Sequence, residues 1–181
     1  MNPDTSLANH RLQRRSRLGA LACRIVGGAV PALLLLSWAV GTAPVAALSR
    51  IGQPPDHMLS AMQLALAAAL SLLPALALAR SLFGIAGCFD CFARGDWFGP
   101  GQPRALAVAG RWLLISGVLA LVVPTLLGLV LTLNAAPGTR VLALTVSSNG
   151  ILAILFGTLL WALGHVWAIA HSIAAENARF V

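Results

Sequence analysis

The sequence predicts an all-α integral membrane protein, a four-helix up-down bundle with a cytosolic helical hairpin extending between its second and third spans. Three observations carry the prediction. The side chains are 59% hydrophobic and 9% charged, at a mean hydropathy of +0.86, and a water-soluble fold of 181 residues could not cover that much apolar surface with so few charges. Four apolar runs, 26–47, 58–79, 112–133 and 149–170, are each long enough at about 1.5 Å per residue to cross a hydrocarbon core of roughly 30 Å. The twelve basic residues are all arginine and gather at the ends of those runs. The whole chain, 1–181, is expected to be one membrane domain.

Residues 1–24 form a basic cytoplasmic tail, with Arg11, Arg14, Arg15 and Arg17 followed by Arg24. The first span, 26–47, contains Pro31, Gly41 and Pro44. A proline inside a helix removes a backbone hydrogen bond, so a kink near Pro31 and fraying from Gly41 onward are expected. The arginine-rich start, the apolar run and the small residues Ala46 and Ala47 also fit the outline of a signal peptide, but the run is long for one and a span is preferred. A loop with Arg50, Pro54 and Pro55 leads to the second span, 58–79, whose apolar character continues past Arg80. Arg80 can snorkel to the head groups, so the helix should leave the membrane there and run on toward Arg94. Residues 80–111 then make the cytosolic hairpin, turning between Gly95 and Gly101, with Pro103 placed to open the returning helix. Arg80 and Arg111 mark one interfacial depth on adjacent helices. An outer loop with Pro137, Gly138 and Arg140 joins the third span, 112–133, to the fourth, 149–170, and 171–181 is a second cytoplasmic tail.

Positive charge concentrates on the cytoplasmic side of multi-pass proteins. The two tails and the hairpin, with its Arg80, Arg94, Arg104 and Arg111, hold ten arginines against Arg50 and Arg140 on the other side. Both termini and the hairpin are therefore expected in the cytoplasm. The net charge of +7 does not point to nucleic acid, because the arginines flank apolar spans and form no basic helix or groove with interleaved aromatics; no direct nucleic-acid binding is expected. Short connections make sequential helices neighbours. Gly150, Gly157 and Gly164 recur every seven residues and leave one stripe of the fourth helix nearly bare. Such a stripe lets helix backbones approach closely. Packing inside the bundle is its preferred use, and a homo-oligomer face is the alternative.

Phe92, Gly95, Phe98, Leu106 and Gly110 fall in a pattern that resembles the central signature of a bacterial family of small four-span proteins, domain-of-unknown-function family 2975. In that family an aromatic, a turn glycine and a second Phe lead into a helix with an Asn, a Leu and a Gly at these intervals. Glu176, Asn177 and Val181 are similar to the family's closing Glu-Asn and Val. Gln102 stands where Asn is usual, and 99–103 replaces a polar helix-starting run. The resemblance implies a protein of the bacterial inner, or cytoplasmic, membrane without an established activity, often encoded beside a small helix-turn-helix regulator that would serve as a soluble partner. The same residues also have a physical rationale of their own. Gly95 permits a left-handed turn, and Gly110 permits close helix approach. Trp97 and Phe98 at the tip suit folding back under the bundle or lying in the head-group layer better than contacting a partner. Glu176 is placed to pair with Arg94 or Arg104 and tie tail to hairpin, an interaction of about 0 to 1 kcal/mol when solvated.

One constellation carries recognisable chemistry: the CxxC of Cys88, Phe89, Asp90 and Cys91, with Cys23 at a similar depth and His165 and His171 near the inner end of the fourth span. Cys88, Cys91 and His165 are the candidate metal ligands. Against them, both thiols lie on one helix toward its C-terminal end, where the macrodipole disfavours a thiolate, and His165 and His171 face different ways. Buried packing is preferred for the thiols, and no metal or other cofactor is expected. The five carboxylates Asp4, Asp56, Asp90, Asp96 and Glu176 are too scattered for a general acid/base pair, and no phosphate loop, nucleophile elbow or HExxH is present. No enzyme is expected. The mid-membrane residues are Leu, Ala, Val and Gly, with Gln63 and Thr125 as polar exceptions, which disfavours transport by this chain alone. Two classes remain: a non-catalytic regulatory or scaffold protein whose hairpin and tails engage a soluble cytosolic partner, and a small transport or channel component acting as an oligomer.

Overall fold

The computed structural model describes residues 3–50, 59–95, 101–132 and 147–177, with side chains over 13–49, 59–95, 101–132 and 147–173. It is all-α. Five helices and no strand occur among the described residues: α1 (Pro3–Ala39), α2 (Thr42–Arg50), α3 (Ala61–Ala93), α4 (Gly101–Leu131) and α5 (Ser148–Asn177). Four stretches are long and apolar enough to cross a membrane, namely Gln13–Ala39, Ala61–Ala93, Gly101–Leu131 and Ser148–Ile173.

The distribution of side chains is the reverse of a soluble domain. Leu33, Leu36, Leu155, Val166 and Ile169 are more than half exposed, whereas the buried positions are mainly small: Ala20, Ala67, Ala77, Ala79, Ala86 and Ala109. Water would not tolerate that surface, but lipid tails are as apolar as leucine and give large side chains no reason to turn inward. Helices then associate where small residues let their backbones meet. On this basis the chain is a multi-pass membrane protein.

The principal contacts join α1 with α3, α3 with α4, and α4 with α5. Each pair is antiparallel, as residue pairings show. Between α1 and α3, Gly19 faces Phe89 and Gly27 faces Ala79 and Leu82. Between α3 and α4 the hydroxyl of Ser81 donates to the Ala109 carbonyl at 2.8 Å, that of Ser116 to the Pro74 carbonyl at 2.9 Å, and the side-chain Nε2 of Gln63 to the Val130 carbonyl at 3.2 Å. Buried hydroxyls directed at a neighbouring helix's backbone carbonyl contribute about 0.6 kcal/mol each in membrane proteins.

Packing between α4 and α5 is the tightest. A Cβ placed on Gly157 would lie 2.5 Å from the Leu114 amide nitrogen, and one on Gly117 would lie 2.8 Å from the Gly150 carbonyl oxygen. On Gly110 it would overlap the amide nitrogen of Trp161. Gly150, Gly157 and Gly164 are the buried residues of α5 among the described side chains. The seven-residue stripe is therefore used within the chain, against α4.

Several boundaries differ from the sequence expectation. The first apolar run is not one helix over 26–47: α1 ends at Ala39, Gly41 takes a φ of +85°, and α2 starts at Thr42. Pro44, in the first turn of α2, lacks only an N–H that would have no helical partner there. The segment does not fray because Leu48, 2% exposed, packs with Trp38, Ala67 and Leu131. The basic tail is helical from Pro3 onward and continues without a break into the apolar part of α1. Arginine, leucine and alanine are good helix formers, and no proline interrupts them before Pro31. Gln63 is not a mid-membrane polar group. It forms a capping box with Ser60 at the start of α3, with the Ser60 amide donating to Gln63 Oε1 at 2.9 Å and the Gln63 amide to Ser60 Oγ at 3.2 Å. Residues 51–58 and 133–146, which hold most of the two expected outer loops, lie outside the described residues.

Candidate functional site

The end of the molecule where α3 gives way to α4 gathers most residues singled out by sequence. At 33 and 31 residues, α3 and α4 are about 50 Å and 47 Å long, well beyond a hydrocarbon core of roughly 30 Å. The Ser81–Ala109 hydrogen bond brings Arg80 and Arg111 to neighbouring levels on the two helices, and both are exposed. Beyond those arginines the helices stay packed, with Gly84 against Ala109 and the Cys88 thiol 3.9 Å from the Gln102 carbonyl. Arg94 caps α3, its amide donating to the carbonyls of Asp90 and Cys91, and Gly95 follows with a φ of +78°, a left-handed conformation that glycine adopts without strain. Gln102 and Pro103 are buried in the first turn of α4.

The predicted signature residues divide by role. Gly95 makes the turn, and Gly110 meets the backbone of α5. Phe92 and Leu106 are half-buried on α3 and α4. Trp97, Phe98 and Asp96 lie outside the described residues, as does Val181; Glu176 and Asn177 belong to the last turn of α5, with side chains that are not described. The expected pairing of Glu176 with Arg94 or Arg104 therefore falls outside the described side chains. The Arg94 guanidinium donates to Cys91 Sγ at 3.4 Å.

The candidate metal ligands do not converge. Among the described residues no group of three or more His, Cys, Asp or Glu side chains is placed to hold a metal ion. Cys88 faces the start of α4, Cys91 is buried under Arg94, and His165 is exposed on α5, where its Nδ1 lies 3.1 Å from the Trp161 carbonyl. A carbonyl can only accept, so Nδ1 carries the proton. Purified protein is expected to hold zinc and copper far below one ion per chain, with no change in Cys88→Ser; elemental analysis giving a stoichiometric metal that this substitution removes would restore the metal site.

Sequence reasoning missed one feature of this end. Asp90, between the two cysteines, forms an ion pair with Arg24 of α1. Both partners are partly exposed, so the pair is a modest α1–α3 clasp. Nothing in the local sequence of either residue signals it. At the other end, a cavity of about 300 Å³ lies between α1, α2, α3 and α4, lined by Trp38, Ser71, Pro74, Val123, Pro124 and other apolar residues and without an ionisable group.

No protein-family model, curated protein or solved structure matches this chain.

Proposed function

We propose that this is a non-catalytic regulatory or scaffold protein of the bacterial inner membrane, with both termini cytoplasmic and with the paired ends of α3 and α4 forming a cytosolic hairpin that engages a soluble partner. The observation that carries the reading is length. Each helix exceeds the hydrocarbon thickness by about twelve residues, and the excess begins at Arg80 and Arg111. Ten arginines against two support the cytoplasmic side for that excess. Cys88, Gln102 and Gly110 are engaged in holding helices together, which fits a presenting surface better than a reactive centre. The resemblance of Phe92, Gly95, Phe98, Leu106 and Gly110 to the four-span family makes a small helix-turn-helix regulator the first partner to try.

Affinity capture from detergent tests the reading. The full chain should retain a soluble protein that is lost when residues 88–104 are replaced by a short glycine-serine turn, while membrane accumulation stays within two-fold. A second reading, an oligomeric transport or channel component, rests on the cavity lined by Ser71, Pro74 and Pro124. Solute flux through liposomes containing only this protein, unaffected by the hairpin replacement, would select that reading over the first.

A further inference from the structure

The glycine seam joins α4 and α5 so closely that their flanking side chains become the walls of a surface groove. One part of the groove, about 360 Å³, is lined by Arg111, Leu114, Ile115 and Trp161. The next, about 170 Å³, lies beside Arg104 and His165. Arg104 and Arg111 are seven residues apart on α4, so they share a face and stand roughly 10 Å apart along its axis. Both are exposed, as are Trp161 and His165 on the opposite wall, whose rings lie 4.7 Å apart. No described carboxylate lines either part of the groove, and Asp90 is held by Arg24 on the α1–α3 side.

The groove thus has a polarity. Its end toward the start of α4 carries positive charge and an imidazole, and its end toward mid-helix is apolar. A phospholipid has the same arrangement, with a charged phosphate at the interface and an acyl chain running inward. Tryptophan at head-group depth and basic residues between helices on the cytoplasmic side are the usual means of holding an anionic lipid. We propose that this α4–α5 groove binds one anionic phospholipid of the inner leaflet, its phosphate between Arg104 and Arg111 near His165 and one acyl chain along Leu114, Ile115 and Trp161. Arginine suits the role because its planar fork donates two hydrogen bonds to one phosphate. The inference rests on the placement of Arg111 at the cytoplasmic interface, taken from the proposed function.

Native mass spectrometry of the full chain, released from phosphatidylcholine vesicles with and without phosphatidylglycerol, tests the site. One phosphatidylglycerol per chain should be retained preferentially. Arg104→Ala with Arg111→Ala should reduce retention about thirty-fold, equivalent to roughly 1 kcal/mol per arginine. Arg80→Ala, which removes a charge at the same depth on α3, should change it less than two-fold. Arg104→Lys with Arg111→Lys, which keeps both charges but not the planar fork, serves as the folding control and should retain more lipid than the alanine pair and less than the parent chain. Equal losses from Arg80→Ala and Arg111→Ala would mean diffuse attraction and would overturn the site. So would displacement of the lipid by inorganic phosphate, which would reassign the groove to free phosphate. A reporter fused after Gly95 reads sidedness independently, so loss of the lipid site with an unchanged reporter sinks this inference alone.

Discussion

Gly110→Leu is expected to undock α5 from α4 and to lower the stability of the folded protein by at least about 3 kcal/mol, at or beyond the upper end of ordinary overpacking. The magnitude follows from what the new side chain meets. A Cβ at this position already overlaps the Trp161 amide nitrogen, and it would lie 2.7 Å from the Gly157 carbonyl oxygen. Those are backbone atoms of a helix and cannot rotate aside. Because α5 has its principal contact with α4, displacing the seam leaves that helix without another partner of comparable extent. Gly28→Ala supplies the contrast, since nothing lies within 4 Å of a Cβ there. Replacing a mid-helix glycine at an open site should stabilise by roughly 0.5 to 1 kcal/mol. Unfolding midpoints in mixed micelles read both effects. If the two substitutions shift the midpoint equally, the α4–α5 seam is not the contact that holds the fourth span.

The second large effect is one of sidedness. A reporter that works only in the cytoplasm, fused after Gly95, should be fully active, and one that works only after export should be inactive at that position. After Thr132, at the far end of α4, the pattern should reverse. The physical cause is the distribution of arginine. Arg80, Arg94, Arg104 and Arg111 belong to the α3–α4 end, and moving them across the bilayer against the membrane potential is opposed at about 2.3 kcal/mol per charge per 100 mV. Export-dependent activity after Gly95 would invert the topology and remove both the hairpin as a partner surface and the inner-leaflet lipid.

Much of this architecture is legible in the sequence. That Ala61–Ala93, Gly101–Leu131 and Ser148–Ile173 hold spans follows from run length and apolar content, which are properties of a single segment. The turn at Gly95 and the proline in the first turn of α4 were legible for the same reason, because φ preferences are local. The first run was harder. Gly41 announced a break, but only the burial of Leu48 against Trp38, Ala67 and Leu131 explains why the chain after it forms a second helix. The CxxC motif is a suggestive spacing without a convergent geometry: its thiols are directed at Gln102 and Arg94, not at a common point.

By itself, the sequence determined that this chain lives in a bilayer, how many helices are fit to cross it and where its positive charge lies, since transfer from water to lipid is summed along each segment independently. Tertiary structure alone decided that the glycine stripe meets α4, that Gln63 caps α3, that Arg24 finds Asp90 and that Arg104, Arg111, Trp161 and His165 border one groove. In lipid the apolar driving force does not choose between helix partners. That choice falls to backbone approach and side-chain pairing across helices, which depend on the depth and rotation of both partners and leave no mark in either segment alone.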